Sequence, residues 1–270
     1  MTSRDEEPVR VWGLPLAPVT FDQTLDRIDR LIAARRPSFV ITANLNYAML
    51  TDTDDRLKRV NERAAIVVAD GMPLVWWSRL GPRRLPERVA GSDLIYGLCE
   101  RAAAKGHRVY FLGAGPGIAA EAAEALTNRY PDLQVVGTEC PPFRPLSEAE
   151  EAEQVARIRE ARPDILVAAF GQPKGELWIA ERLERLGVPV AIQLGATLDF
   201  VAGRMRRSPR WMQKTGLEWV YRLAQEPRRL AGRYLDNILF VLKAIFAARF
   251  RRERRKASWS PGGATDGSQG

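Results

Sequence analysis

The chain has a single histidine, His107, among its 270 residues. A histidine-based triad or a multi-histidine metal site is therefore excluded within one chain. Any general base must be a carboxylate or come from elsewhere. Cysteine is scarce too: Cys99 and Cys140 stand far apart without metal-ligand neighbours. They fit a reduced, cytosolic protein better than a disulfide framework. Long apolar runs are lacking. The most apolar stretch, Ile238 to Ala248, contains Lys243 and reaches about half of the ~20 residues a membrane span needs. The opening MTSRDEEPVR is charged and has no apolar core, so no secretory signal is expected.

Acidic residues are thin in the last quarter. Between Arg204 and Lys256 there are 16 Lys/Arg against 4 Asp/Glu, a net of +12, whereas the whole chain is +8. The remainder, +8 less +12, is net −4, so the basicity is a local device. Such a device meets phosphate on nucleic acid, on an anionic membrane or on a phosphorylated substrate. Arginines 206, 207, 210, 222, 228, 229 and 233 interleave with Trp211, Trp219, Tyr221 and Tyr234, a pattern suited to nucleic acid or a membrane interface. No helix-turn-helix, zinc or RNA-recognition signature accompanies it.

The rest alternates short apolar runs with helical patterns. FVITAN, AIVVAD, RVYFLG, LQVVG, ILVAAF and VPVAIQLG read as strands, and most are the continuous apolar runs expected when both sheet faces are covered. The alternation predicts an α/β fold with a doubly wound, mostly parallel sheet. Ligands of such sheets lie beyond the carboxyl ends of the strands. The polar residues there are Thr42, Asn44, Asp70, Gly113, Gly171 and Asp199. Asp70 and Gly71 are read either as a ligand contact or as a turn and helix cap. Thr42 and Asn44 are read either as sugar or phosphate contacts or as ordinary strand-end and helix-cap polarity. Gly113, Gly115 and Gly117 make a turn that can attract phosphate, but as a dinucleotide fingerprint it is imperfect, which disfavours a nicotinamide enzyme. Asp52-Thr53-Asp54 has a metal-binding spacing, yet acids at a helix start read better as caps. No metal and no cofactor are expected.

The blocks TANLNYAML, ADGMPLVWWSRL, RVAGSDL, FLGAGPG, PDILVAAFGQPKGELWI and GATLDFVAGRMRRSPRWMQKTGLEWVYRLAQEPRRLAGRY resemble, in order, the WecG/TagA/CpsF family of bacterial glycosyltransferases. The likeness runs from about Val11 to Tyr234. It implies an inverting transfer of a sugar from a UDP-sugar donor to an undecaprenyl-diphosphate-linked sugar, on the cytoplasmic face of the membrane. It implies Asp70 as base, with Thr42, Asn44 and Arg88 beside it. Gly71, Gly113, Gly115, Gln172 and Asp199 then face substrate, with Asp199 near the nucleotide and Phe143 stacked on uracil. Arg207, Arg222 and Arg229 are the family's C-terminal arginines. Two departures matter: the family's RAP reads Arg207-Ser208-Pro209, a mild change, and its PKQE reads Pro173-Lys174-Gly175-Glu176. The amide expected at 175 is lost or replaced, with Gln172 as a candidate.

The expected organisation is a Rossmann-like nucleotide-sugar-binding core over 1–202, a basic helical C-terminal appendage over 203–256 that closes the site and docks on an anionic membrane, and a disordered tail over 257–270. The expected location is cytoplasmic, peripheral on the inner membrane face. A homo-oligomer stays open. The competing reading is a nucleic-acid-binding protein acting through the basic segment, which would be indifferent to Asp70.

Overall fold

Each of the six apolar runs forms a strand of one sheet, and helices fill the intervals. The computed structural model describes residues 7–257. The chain begins with β1 (Val9–Val11), β2 (Leu14–Leu16), α1 (Phe21–Ala34), β3 (Ser38–Ala43), α2 (Leu45–Thr53), α3 (Asp55–Arg63), β4 (Ile66–Ala69) and α4 (Met72–Ser78). There follow α5 (Gly91–Lys105), β5 (Arg108–Gly113), α6 (Ile118–Arg129), β6 (Gln134–Glu139), α7 (Glu148–Glu160), β7 (Ile165–Ala169), α8 (Lys174–Leu186) and β8 (Val190–Gln193). The C-terminal helices are α9 (Thr197–Val201), α10 (Arg210–Lys214), α11 (Glu218–Gln225) and α12 (Pro227–Ala257).

The sheet runs β4-β3-β8-β7-β5-β6, and every pairing is parallel. Alternate residues of each strand feed two apolar layers. One holds Tyr47, Leu57, Leu74, Val155, Ile179 and Leu183, from α2, α3, α4, α7 and α8. The other holds Ile28, Leu94, Leu98, Ala122 and Leu198, from α1, α5, α6 and α9. The sheet is thus doubly wound and Rossmann-like, as its unbroken apolar strands require.

This winding places the crevices. β3 leads into α2 on one face, while its neighbour β8 leads into α9 on the other. The helices diverge there and open a gap beyond the strand ends. The same reversal recurs between β7, followed by α8, and β5, followed by α6.

Local chemistry sets several boundaries. Thr20 with Gln23 and Ser147 with Glu150 form capping boxes on α1 and α7, each satisfying two otherwise unpaired helix donors. Asp54 caps α3, accepting from Arg56 N at 2.8 Å, and its carboxylate also holds the Arg56 guanidinium. These bonds depress its pKa to about 2. The β1–β2 hairpin was not foreseen. Its two turn residues, Trp12 (φ 46°) and Gly13 (φ 83°), both take the left-handed region, as a two-residue hairpin of this type needs.

Contacts part the chain at Tyr221/Arg222 into two units. The first contains the sheet, both apolar layers and α10. The second is built on α12. On this helix Leu235, Ile238, Leu239, Leu242, Ile245 and Phe246 are 45–62% exposed. Their spacing of three and four residues puts them on one face. No helix among the described residues is long and apolar enough to cross a membrane. The tail expected from 257 onward lies, after Ala257, outside the described residues.

Candidate active site

Neighbouring strand ends bring Asp70 and Thr42 to one point. Asp70 follows β4 and is tied to β3 by its N–H, which donates to Ala43 O at 2.7 Å. Thr42, 4% exposed, is the penultimate residue of β3. The loop before α5 is pinned to the same edge through Val89 N, which donates to Ala69 O at 2.9 Å. This sets Gly91, the first residue of α5, against both. A β-carbon on Gly91 would lie 3.4 Å from Asp70 Oδ2 and 3.4 Å from Thr42 Oγ1. The carboxylate and the hydroxyl therefore border one gap, kept open by a missing side chain. The N-terminus of α5 opens there too and favours negative charge.

Asn44 caps α2, its Oδ1 accepting from Tyr47 N at 3.0 Å. Beside it, Gly71 has extended backbone (φ −177°). A β-carbon there would meet Asn44 and Pro73 only at 3.8–3.9 Å. The fold would accept alanine at 71, so the glycine leaves space beside Asn44.

Gln172 arrives from the turn between β7 and α8. Its Nε2 donates to Thr42 O at 2.9 Å, while Thr42 Oγ1 donates to Gln193 O at 3.1 Å. The ends of β3, β7 and β8 are thus joined by polar contacts at the first crevice.

Arg88 and Arg207 stand beside the start of α5. Arg88, its side chain 15% exposed, donates to Glu218 of α11 at 3.0 Å and lies 3.9 Å from Asp93. Arg207 pairs with Asp93 and donates to Gln213 at 3.0 Å. Two guanidiniums and two carboxylates therefore form a layer joining α5 to 203–221. The segment up to Tyr221 belongs by its contacts to the first unit.

The family model for the glycosyl transferase WecG/TagA/CpsF family matches residues 9–255. The chain belongs to that family. It is similar to an N-acetylglucosaminyldiphosphoundecaprenol N-acetyl-beta-D-mannosaminyltransferase of Bacillus spizizenii, 29% identical over 192 residues, covering 71% of this chain and 73% of that protein. A protein of the same name from Staphylococcus aureus is 28% identical over 254 residues, covering 92% and 95%. This WecG/TagA/CpsF protein is a glycosyltransferase.

Other residues expected at the site of this glycosyltransferase lie elsewhere or have structural duties. Gly113 (φ 103°) ends β5, and a β-carbon there would come within 3.0 Å of Ala169 and Phe170. At Gly115 it would lie 2.9 Å from Ile118 Cδ1. Gly113 is required there by its left-handed backbone and the Ala169 backbone, whereas at Gly115 only the movable end of Ile118 stands in the way; both lie at the second crevice, four strands from β4. That is ~19 Å at about 4.8 Å per strand. Phe143, 82% exposed, follows β6, the strand at the opposite edge from β4. Asp199 lies on α9 and its carbonyl accepts from Arg204 N at 3.0 Å. Arg222 and Arg229 belong to the second unit, where Arg229 pairs with Glu226.

Gly91, Gln193, Glu218 and Glu176 escaped the sequence reading. Glu176, in the first turn of α8, is wholly buried, and neither carboxylate oxygen has a hydrogen-bond partner. Burial drives its pKa up to about 7, against weaker pulls from its own N–H and the Gln172 amide, neither of which meets hydrogen-bond geometry. Burial, then the Glu176 charge, also raises the pKa of Tyr47, whose hydroxyl donates to Asn61 Oδ1 at 2.8 Å. The sequence signal for Glu176 was an acid at a helical position facing the core.

Proposed function

We propose that this glycosyltransferase moves an N-acetylmannosamine-type sugar or another hexose from a UDP-sugar to a sugar linked to undecaprenyl diphosphate, in the synthesis of a bacterial cell-surface polysaccharide or teichoic acid. The observation that carries the reading is the convergence of Asp70 Oδ2 and Thr42 Oγ1 on the gap at Gly91. The acceptor class is supported by the relatives, whose name gives N-acetylglucosaminyldiphosphoundecaprenol as the molecule they act on.

The reaction is one displacement with inversion. The acceptor hydroxyl oxygen forms a bond to the donor's anomeric carbon, and its proton passes to Asp70. The bond from that carbon to the diphosphate oxygen breaks, and its electron pair leaves with UDP. A positioned base is worth roughly 10²–10⁴-fold. Negative charge growing on the leaving diphosphate needs cationic groups, and Arg88, Arg207, Arg222 and Arg229 are assigned to the two diphosphates. Asn44 and Gln172 hold sugar or phosphate oxygens, Gly71 gives the donor room, the turn of Gly113 and Gly115 offers backbone N–H groups to phosphate, and Asp199 and Phe143 belong to the nucleotide end.

The lipid-linked acceptor demands access to a bilayer. The exposed apolar face of α12 and the six basic residues from Arg249 to Lys256 supply insertion and charge attraction together. Those two signals suffice for peripheral anchoring on an anionic inner face. Segment 1–202 is assigned to catalysis and 203–256 to closure and docking.

The test is transfer from a panel of UDP-sugars to a short-chain prenyl-diphosphate-linked N-acetylglucosamine, with the product read by mass spectrometry. One donor should give a product heavier by one sugar, with release of UDP. No product from any donor in the presence of anionic vesicles would overturn the reading.

A further inference from the structure

Gln193 ends β8, between β3 and β7, and is 1% exposed. A buried amide carries donors and an acceptor that need partners. The orientation that satisfies both ends has Nε2 donating to Ala168 O at 2.8 Å and Oε1 accepting from Gly171 N at 2.9 Å. The same residue's carbonyl accepts from Thr42 Oγ1 at 3.1 Å. Gln172, next after Gly171, donates to Thr42 O at 2.9 Å. These bonds close a ring from Thr42 through Gln193, Gly171 and Gln172 back to Thr42. The side chain of Gln193 is the member that holds the turn carrying Gln172.

Position 175 decides whether that side chain fits. A β-carbon on Gly175 would lie 2.2, 2.3 and 2.8 Å from the terminal atoms of the Gln193 amide. Even alanine at 175 would displace the amide. Conversely, the amide fills the volume a longer side chain at 175 would take. Glycine is a poor choice inside a helix, and this contact gives its reason.

We propose that Gln193 and Gly175 are a matched pair, in which the Gln193 amide fills from β8 the volume that Gly175 leaves open, and acts as the positioning residue that holds the turn carrying Gln172 at the site. Glycine at 175 is then required by the Gln193 amide, and that amide in turn holds Gln172, the candidate for the contact that position 175 does not make. The activity arm of the test rests on the proposed transfer reaction; the stability arm does not.

The experiment uses full-length Gly175→Gln, Gln193→Ala and the double variant, each measured for Tm and for kcat and KM. Gly175→Gln alone should lower Tm and cut kcat by about tenfold or more, because two side chains compete for one volume. Gln193→Ala should cut kcat about tenfold while donor KM stays within about twofold, the mark of lost positioning rather than lost binding. The double variant should regain Tm above both singles and recover kcat to within about threefold of the parent, a non-additivity expected only of residues in contact. Should Gln193→Ala fail to fold, Gln193→Met fills the space without the amide and takes its place in the cycle. Gly175→Gln matching the parent, or additive losses in the double, would overturn the pairing. If the parent transfers no sugar at all, the reaction proposal fails, and the Tm cycle alone decides the pair.

Discussion

The hydroxyl of Thr42 donates to the carbonyl of Gln193 at 3.1 Å. A threonine has one such proton, so toward a ligand Thr42 Oγ1 can only accept. It suits a sugar hydroxyl, not the oxygen of a leaving phosphate. Thr42→Ser should keep both bonds and stay within about twofold in kcat/KM. Thr42→Val removes both. One hydrogen bond is worth about 1 kcal/mol, so kcat/KM should fall about fivefold to tenfold and stability by a similar energy. Equal kcat/KM in serine and valine variants would show that Thr42 does not face substrate.

Asp70 shares the gap at Gly91 with that hydroxyl. Asp70→Asn preserves shape and removes basicity. Turnover should drop by about two to four orders of magnitude, while UDP binding by calorimetry and the thermal midpoint change little. A folded asparagine variant with near-parental turnover removes Asp70 from the role of base.

What could be read in advance follows from how each feature is encoded. Five of the six sheet strands were legible because a strand covered on both faces must be continuously apolar; β6, a half-exposed edge strand of sequence QVVGTE, was marked only by its two valines and its place in the alternation. The caps at Asn44 and Asp54 are local, so their residue types announce them. β1 and β2 were missed because each has three residues, and Trp12 carries no turn signal. The placement of Thr42 and Asp70 followed from the strand-end rule alone. Gly91, Gly175 and Gln193 could not be placed that way. Their meaning lies in contacts between β3, β8, α5 and α8, far apart in the chain. Two faint marks existed: a glutamine inside the apolar run VAIQLG and glycines at helical positions.

Gly91 tests the gap directly. It opens α5, and its backbone is not in the left-handed region. Alanine is the better helix former, by about 1 kcal/mol in helix interiors. Gly91 is only the first helical residue, and its methyl would press Leu194 Cδ2 at 3.3 Å, so the two effects oppose and Gly91→Ala should move the thermal midpoint by no more than a few degrees. Its methyl would stand 3.4 Å from Asp70 Oδ2 and Thr42 Oγ1 and 3.3 Å from Leu194 Cδ2, where the attacking hydroxyl is proposed to sit. Transfer should fall at least about tenfold. Unchanged kcat/KM in a stable alanine variant would place the acceptor elsewhere.

The apolar face of α12 makes a separate prediction. Leu239, Leu242 and Phe246 lie on it, each at least 45% exposed. Replacing all three by serine removes insertion and keeps every charge. Co-sedimentation with anionic vesicles should weaken by about tenfold or more, and the remaining binding should fall with added salt. Neutral vesicles should bind neither form strongly. Parental sedimentation of the triple variant would show that α12 does not insert.

Glu176 sets a pH dependence whose sign can be derived. Its pKa rises from 4.5 to about 7 on folding because burial penalises the charged form. Between those values the folded chain keeps a proton that the unfolded chain has released, so the unfolded state binds fewer protons and stability falls as pH rises. Below about pH 4.5 both states are protonated and this loss vanishes. Above about pH 7 it is complete, on the order of 3 kcal/mol at 1.36 kcal/mol per unit. Glu176→Gln is neutral throughout but buries an additional donor, so near pH 5 it should match the parent or be slightly less stable. By pH 8 it should be the more stable of the two, and the difference in thermal midpoint should climb steadily between. A difference that stays flat from pH 5 to 8 would mean that Glu176 ionises normally inside the fold, which its unpartnered oxygens do not permit unless α8 shifts to admit water.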